Sequence, residues 1–277
     1  MTKFDEQVSR LVFMKLGGSL ITDKNRPRTA RLDVIDRLAR EIAEALHEAP
    51  DLHLILGHGA GSYGHVPAKK YATRQGVSSP EEWHGFTEVW WDASTLNRLV
   101  VESLRKSNLP ALAFSPSASV IARDGAVLKW NLTPIELALR ANLLPVIFGD
   151  VIFDLQRGGT ILSTEDLFSY LARHFRPGRI LLAGIESGVW ADYPHCTQMI
   201  KEITPENFPS AAEALHGSAA IDVTGGMASK VSQSLDLVQE LDGLEISIFS
   251  GEEEGLLKRA LLGAKPGTTI HNGSTHT

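Results

Sequence analysis

The chain has 277 residues, 43% of them hydrophobic and 22% charged, which excludes a chain too polar to bury a core. Its formal net charge of -6 excludes a surface built for nucleic acid, so cations that converge do so locally, in a pocket. The single cysteine, Cys196, excludes an internal disulfide and fits a reducing, cytoplasmic setting, and no apolar run reaches the roughly 18 residues of a membrane span.

Residues 11–16 form the first apolar run, a buried strand with Lys15 at its tip that feeds the turn Gly17-Gly18-Ser19. Leu32, Ile35, Leu38, Ile42 and Leu46 then recur at helical spacing, with Asp33 placed to offset the helix dipole. A second apolar run, 52–56, opens into Gly57-His58-Gly59-Ala60-Gly61-Ser62-Tyr63-Gly64-His65, a loop whose bare amides let an anion approach closely. Strand, helix, strand in this order predicts a parallel sheet, with both glycine loops on the edge where α/β proteins place ligands.

Residues 66–79 read as polar and turn-rich, and Pro80 begins a long helix carrying Phe86, Val89, Trp90, Ala93, Leu96, Val100 and Leu104. Next come a strand at 111–114, a hairpin at 122–130 around Arg123-Asp124-Gly125, and a helix at 133–141. A buried strand at 145–148 ends in Gly149-Asp150, 151–162 folds as a hairpin around Arg157-Gly158-Gly159, and Ser163-Thr164-Glu165-Asp166 starts a helix. The alternation repeats with a strand at 179–183, helices at 205–215 and 227–241, and a strand-helix-strand unit over 245–249, 252–262 and 268–270. Residues 271–277 read as a frayed tail.

Two glycine loops on one edge suggest a ligand with more than one phosphate, where Lys15 at the first loop, Lys24 nine residues on and Lys230 one turn into the helix after Thr224-Gly225-Gly226 are expected to converge. Three ammonium groups neutralise the charge that gathers on a transferring phosphoryl group, the main demand of that chemistry. Asp166, at a helix start, orients those lysines or positions Mg²⁺ through its oxygen lone pairs. Asp150 and Asp154 read as turn residues, and Trp83, Phe86, Val89 and Trp90 as either ordinary core or the wall of an apolar cavity. By letters, residues 59–64 also satisfy the dinucleotide fingerprint, but no apolar helix follows them and no acid ends a strand about 20 residues on.

Lys15-Leu16-Gly17-Gly18-Ser19, the loop 57–65, residues 163–166 and Thr224-Gly225-Gly226-Met227 with Lys230 resemble, in order and over nearly the whole chain, the amino acid kinase superfamily. His65, closing the second loop, and Lys24, after Ile21-Thr22-Asp23, resemble its isopentenyl phosphate kinase branch. The resemblance implies an α/β fold, a three-layer α/β/α sandwich with an open, mainly parallel sheet. It implies one domain over 1–277, with acceptor bound by residues to about 175 and ATP by residues from about 176 to 270. It implies a homodimer acting on a small molecule, with neither nucleic acid nor membrane as partner.

Carried over to these residues, the resemblance implies that Lys15 and Lys230 contact the transferring group, Lys24 assists, and Asp166 holds the lysines. It implies that Gly59, Ala60, Gly64, His65 and Gly149 hold the acceptor, while Gly17, Gly18, Ser19, Gly61, Gly225 and Gly226 line the phosphates of ATP, with Mg²⁺ held mainly by those phosphates. The expected reaction is phosphorylation of isopentenyl phosphate; the alternatives are another phosphate or phosphonate acceptor, as in fosfomycin-resistance kinases, or a non-catalytic nucleotide or oxyanion binder. The histidine suits a phosphate acceptor, whose second pKa of about 6 leaves a nucleophilic oxygen that needs holding rather than deprotonation. Ala60, Tyr63 and Ile185-Glu186 depart from the branch's habit, the last where an acidic pair is common near the nucleotide base.

Overall fold

The computed structural model describes residues 10–208 and 226–273. Thr224, Gly225 and most of the helix expected at 205–215 lie outside these. In chain order the elements are β1 (Arg10–Leu16), α1 (Gly18–Ile21), α2 (Leu32–Glu48), β2 (Leu52–His58), α3 (His65–Lys70), α4 (Pro80–Lys106), β3 (Ala111–Ala113), β4 (Val120–Arg123) and β5 (Ala126–Trp130). There follow α5 (Thr133–Arg140), β6 (Leu144–Phe148), β7 (Asp150–Asp154), β8 (Gly158–Leu162), α6 (Thr164–Phe175), β9 (Arg179–Gly184), β10 (Val189–Trp190), β11 (Met199–Ile200) and β12 (Glu202–Ile203). The last are α7 (Gly226–Glu240), β13 (Glu245–Ser250), α8 (Leu256–Leu261) and β14 (Thr268–Ile270).

Eight strands form the main sheet in the order β12-β14-β13-β9-β1-β2-β6-β3, parallel except for the β13–β14 pair. The antiparallel last pair departs from the simple alternation of the sequence. Because side chains alternate across a strand, β1 feeds two cores. Leu11 and Phe13 join the layer of α5, α6 and α7, while Val12, Met14 and Leu16 join the layer of α2, α4 and α8. Helices on both faces make the expected three-layer α/β/α sandwich.

α4 starts where Ser79 and Glu82 cap each other, Glu82 N donating to Ser79 Oγ at 3.2 Å and Ser79 N to the Glu82 carboxylate at 2.8 Å, with proline in the first turn. Both expected hairpins form, and they merge into a second sheet, β5-β4-β7-β8, through a parallel β4–β7 pairing. The Asp154 carboxylate locks them together, accepting from the backbone N–H groups of Asp124, Gly125, Gln156 and Arg157 at 2.7–3.0 Å.

Three local expectations are corrected. Residues 65–70 form a short helix rather than a turn, since Pro67 sits in its first turn, where an N–H has no helical partner to lose. α8 starts at Leu256, four residues late, because Gly255 has φ 75°, outside helical space. Residues 271–273 of the expected frayed tail stay attached, His271 N donating to Ile203 O at 3.2 Å and Asn272 Nδ2 to Asp242 Oδ1 at 3.3 Å, and 274–277 lie outside the described residues. Among the described residues no helix is long and apolar enough to cross a membrane.

Candidate active site

The period of two that splits the cores also aims Lys15. It shares a strand face with Phe13, so its ammonium points toward α6 and meets the Glu165 carboxylate, with both side chains mostly buried (11% and 15% exposed). Burial pushes the Glu165 carboxyl up, but the charge and hydrogen bond of Lys15 and the charge of Lys230 outweigh it and hold the group below its ordinary range. Lys230 projects from α7, in the same layer, and lines one small cleft with Glu165. The structure therefore gathers Lys15 and Lys230 around a single carboxylate.

That carboxylate is not Asp166, the residue expected to hold the lysines. Asp166 is the third residue of α6, and its side chain turns back on the cap: Asp166 Oδ2 accepts from Ser163 N and Ser163 Oγ, both at 2.8 Å. The same oxygen accepts from Arg74 Nη2 at 3.2 Å, so Asp166 ties the segment after α3 to α6. A capping box spends its third side chain on the helix start, leaving the one before it, Glu165, to reach the tip of β1. The pattern Ser-x-x-Asp was legible in the sequence and would have pointed to Glu165.

The two glycine loops touch through bare backbone. A Cβ on Gly18 would lie 2.3 Å from Gly61 N, and one on Gly59 would lie 2.8 Å from Gly18 N, so no side chain fits at either place. Gly61 has φ 52°, and a Cβ there would meet Thr22 Oγ1 at 2.1 Å. Thr22 fastens the junction, its hydroxyl donating to Gly18 O at 2.7 Å and accepting from Ser62 N at 2.9 Å. On the other flank Gly17 N donates to Ala183 O at 2.7 Å, bringing the tip of β9 to the same edge. Ser19 lies within α1, Gly226 opens α7, and Gly149 sits between β6 and β7 with its N–H on His58 O at 3.4 Å.

Lys24 is exposed in a turn anchored at both ends on the second glycine loop, through Thr22 to Ser62 N and through Arg28 N to Ser62 O at 3.2 Å. Arg28 in turn pairs with the buried Asp92 of α4 at 2.8 Å. Gly64, tight against Ala60 (a Cβ would lie 3.1 Å from Ala60 Cβ), leads directly into His65, which is half-buried at the start of α3. α3 is seated on α4 by Gly85, where a Cβ would fall 2.2 Å from Tyr71 Cγ.

Beside α3, Phe86 and Val89 of α4 are buried with Val77 and Val151, while Ala68 of α3 and Trp83 pack against them. The rings of Trp83, Phe86 and Phe153 form a triangle with centroids 5.2–5.9 Å apart. Trp90, expected alongside them, is instead 41% exposed and lies against Trp91. One edge of the molecule thus carries two interlocked amide-rich loops, two lysines on a shared carboxylate, and an apolar cluster near the histidine helix. Such an edge can bind a chain of phosphates attached to an apolar group.

The pattern of the amino acid kinase family matches residues 10–250. An isopentenyl phosphate kinase of Methanocaldococcus jannaschii is 33% identical, over 94% of this chain and 98% of that protein. One of Haloferax volcanii is 36% identical, again over 94% and 98%. An X-ray structure of isopentenyl phosphate kinase superposes with a TM-score of 0.79 at 27% identity, covering 94% of this chain and 100% of that one. With sequence pattern, layered sheet and glycine-loop edge all in agreement, the chain belongs to the amino acid kinase family, in the branch of these relatives.

Proposed function

We propose that the protein transfers the terminal phosphoryl group of ATP to isopentenyl phosphate, giving isopentenyl diphosphate and ADP, a step of isoprenoid biosynthesis. The observation that carries this reading is the buried Lys15–Glu165 pair, with the charge of Lys230 upon it, beside the interlocked glycine loops. The relatives of this branch, named for the same reaction, supply the acceptor's identity.

An acceptor phosphate oxygen attacks the γ-phosphorus, the bond from that phosphorus to the ADP oxygen breaks, and its electron pair leaves with ADP. No proton need be removed, because a phosphate monoester with a second pKa of about 6 already presents an anionic oxygen at neutral pH. The task left to the protein is to hold two repelling anions in line. Lys15 and Lys230 neutralise the transferring group, Glu165 keeps Lys15 aimed, and Lys24 assists from its anchored turn. Asp166 acts through Arg74, on the acceptor side. His65 holds the acceptor phosphate with Gly59, Ala60, Gly64 and Gly149, while Gly17, Gly18, Ser19, Gly61 and Gly226 face the phosphates of ATP. The apolar cluster of Phe86, Val89 and Trp83 is the wall for the five-carbon tail.

Mg²⁺ supplies charge neutralisation on the triphosphate. Glu165 and Asp166, two carboxylates at this edge, are already engaged by Lys15 and Arg74, so the ion would be held mainly by phosphate oxygens. The acceptor lies in the part up to about residue 175 and ATP in the part from about 176 to 270. The protein works as a homodimer, and the cytoplasm, reducing and rich in ATP, suits a chain with one cysteine.

A coupled ADP-release assay across isopentenyl phosphate, dimethylallyl phosphate, fosfomycin and carbamate tests the reading. Turnover is expected with the isoprenoid phosphates, and none with either rejects it. His65→Ala is expected to raise the KM for isopentenyl phosphate by about tenfold or more and to leave that for ATP within about twofold.

A further inference from the structure

The tip of β2 carries a second histidine, His58, with no place in the chemistry above. It lies on the opposite strand face from Lys15, turned toward α4, and is completely buried. Its ring stacks on Phe148 at 5.6 Å with the planes 7° apart, and both nitrogens are engaged. Nδ1 is 3.0 Å from Gly59 O, and Nε2 is 3.1 Å from Asn97 Nδ2. One neutral form satisfies both contacts, since the atom facing Nε2 is Asn97 Nδ2, an amide nitrogen that only donates. Nε2 therefore accepts, and Nδ1–H donates to the Gly59 carbonyl. Burial pushes the imidazole down to about 4, the Gly59 carbonyl opposes this and the Lys15 charge adds to it, so the ring is neutral near pH 7.

The backbone of His58 is equally committed. Its carbonyl accepts from Thr164 Oγ1 at 2.6 Å and from Gly149 N at 3.4 Å. One residue thus joins four elements of the acceptor side: the glycine loop at Gly59, α4 at Asn97, the β6–β7 turn at Gly149, and the start of α6 at Thr164. Orienting the Gly59 carbonyl fixes the plane of the Gly59–Ala60 peptide, and with it the amide of Ala60. A glycine has no side chain to hold its own peptide in place, so an outside donor must.

We infer that His58 is a positioning residue for the acceptor phosphate, acting through the Nδ1–H bond that fixes the Gly59 peptide. This rests on the glycine loop being the acceptor's seat. Three variants separate the parts of the claim. His58→Phe keeps a ring on Phe148 and loses both hydrogen bonds, His58→Asn retains a donor at the Nδ1 position, and His58→Gln retains a partner for Asn97 only.

The expected result is a KM for isopentenyl phosphate raised about tenfold in His58→Phe and His58→Gln, the value of one lost hydrogen bond. His58→Asn restores it to within about threefold, and the KM for ATP stays within about twofold throughout. The dissociation constant of inorganic phosphate, measured by calorimetry on the same proteins, follows the acceptor KM and needs no turnover. A wild-type protein that does not phosphorylate isopentenyl phosphate refutes the proposed acceptor, and phosphate binding then still decides the role of His58. Unchanged acceptor KM and phosphate affinity in His58→Phe, or equal losses in His58→Asn and His58→Phe, overturn the inference. Should the His58 variants fail to fold, Asn97→Leu takes their place: it frees the ring and is expected to raise both constants about threefold, and no change in either overturns the inference.

Discussion

At the same edge of the sheet, the two faces end in opposite kinds of chemistry. Toward α6 and α7 the side chains are charged, Lys15 against Glu165 with Lys230 near, and toward α4 they are neutral, His58 between Gly59 O and Asn97 on the ring of Phe148. The strand register sets them side by side, Leu16 of β1 opposite His58 and Lys15 opposite Gly57. The difference teaches where charge belongs in such a site. Two lysines share one carboxylate on the charged face, which leaves it net positive and fits the transferring anion proposed there, while a buried group that holds backbone is cheaper left neutral.

The largest effect should come from the charged face. Lys15→Met and Lys230→Ala are each expected to cut kcat by about a thousandfold or more, with circular dichroism unchanged. Turnover near wild type in either would erase the contrast between the faces. A sharper test lies within α6, where neighbouring carboxylates have different partners. Glu165→Gln should lower kcat about thirtyfold by releasing Lys15, and Asp166→Asn less than about threefold, since its bonds serve the helix cap and Arg74. The opposite order would return Asp166 to the role first expected of it.

The effect that turnover shows least is on stability and belongs to the neutral face. Unfolded, His58 titrates at its ordinary 6.5, and folded at about 4, so between these values the unfolded chain binds the proton first. Stability is complete above pH 6.5 and falls as the pH drops toward 4, by at most roughly 3 kcal/mol. Urea unfolding across that range should show the slope in the wild type and a flatter one in His58→Phe.

Much of this is legible in the sequence. Apolar runs ending in glycine marked the strand tips, and the parallel order placed both loops on one edge. What escaped the reading was side-chain direction. Asp166 looked like the lysine holder because it matched a family position, yet the Ser163 cap consumes it and frees Glu165. By its letters alone His58 belongs to the glycine loop. Counting in twos from Leu54 and Leu56, which face α4, would have placed it on the neutral side. The two hairpins were local and legible, but the β4–β7 pairing that joins them is a contact between distant residues, which no nearby pattern announces. Trp90 shared helical spacing with Phe86 and Val89, but it lies at the margin of that stripe, where spacing alone does not separate a buried ring from an exposed one.

The meeting of Gly18 with Gly61 has a consequence for how such an enzyme changes its diet. Because peptide planes rather than adjustable side chains set this gap, the span between the proposed donor and acceptor seats is fixed by backbone and is disturbed by a side chain at either glycine. On the proposed seating of the tail, new specificity then arises farther out, in the aromatic start of α4 and the neighbouring hairpins, where substitutions reshape an apolar cluster without lengthening the path the phosphorus travels.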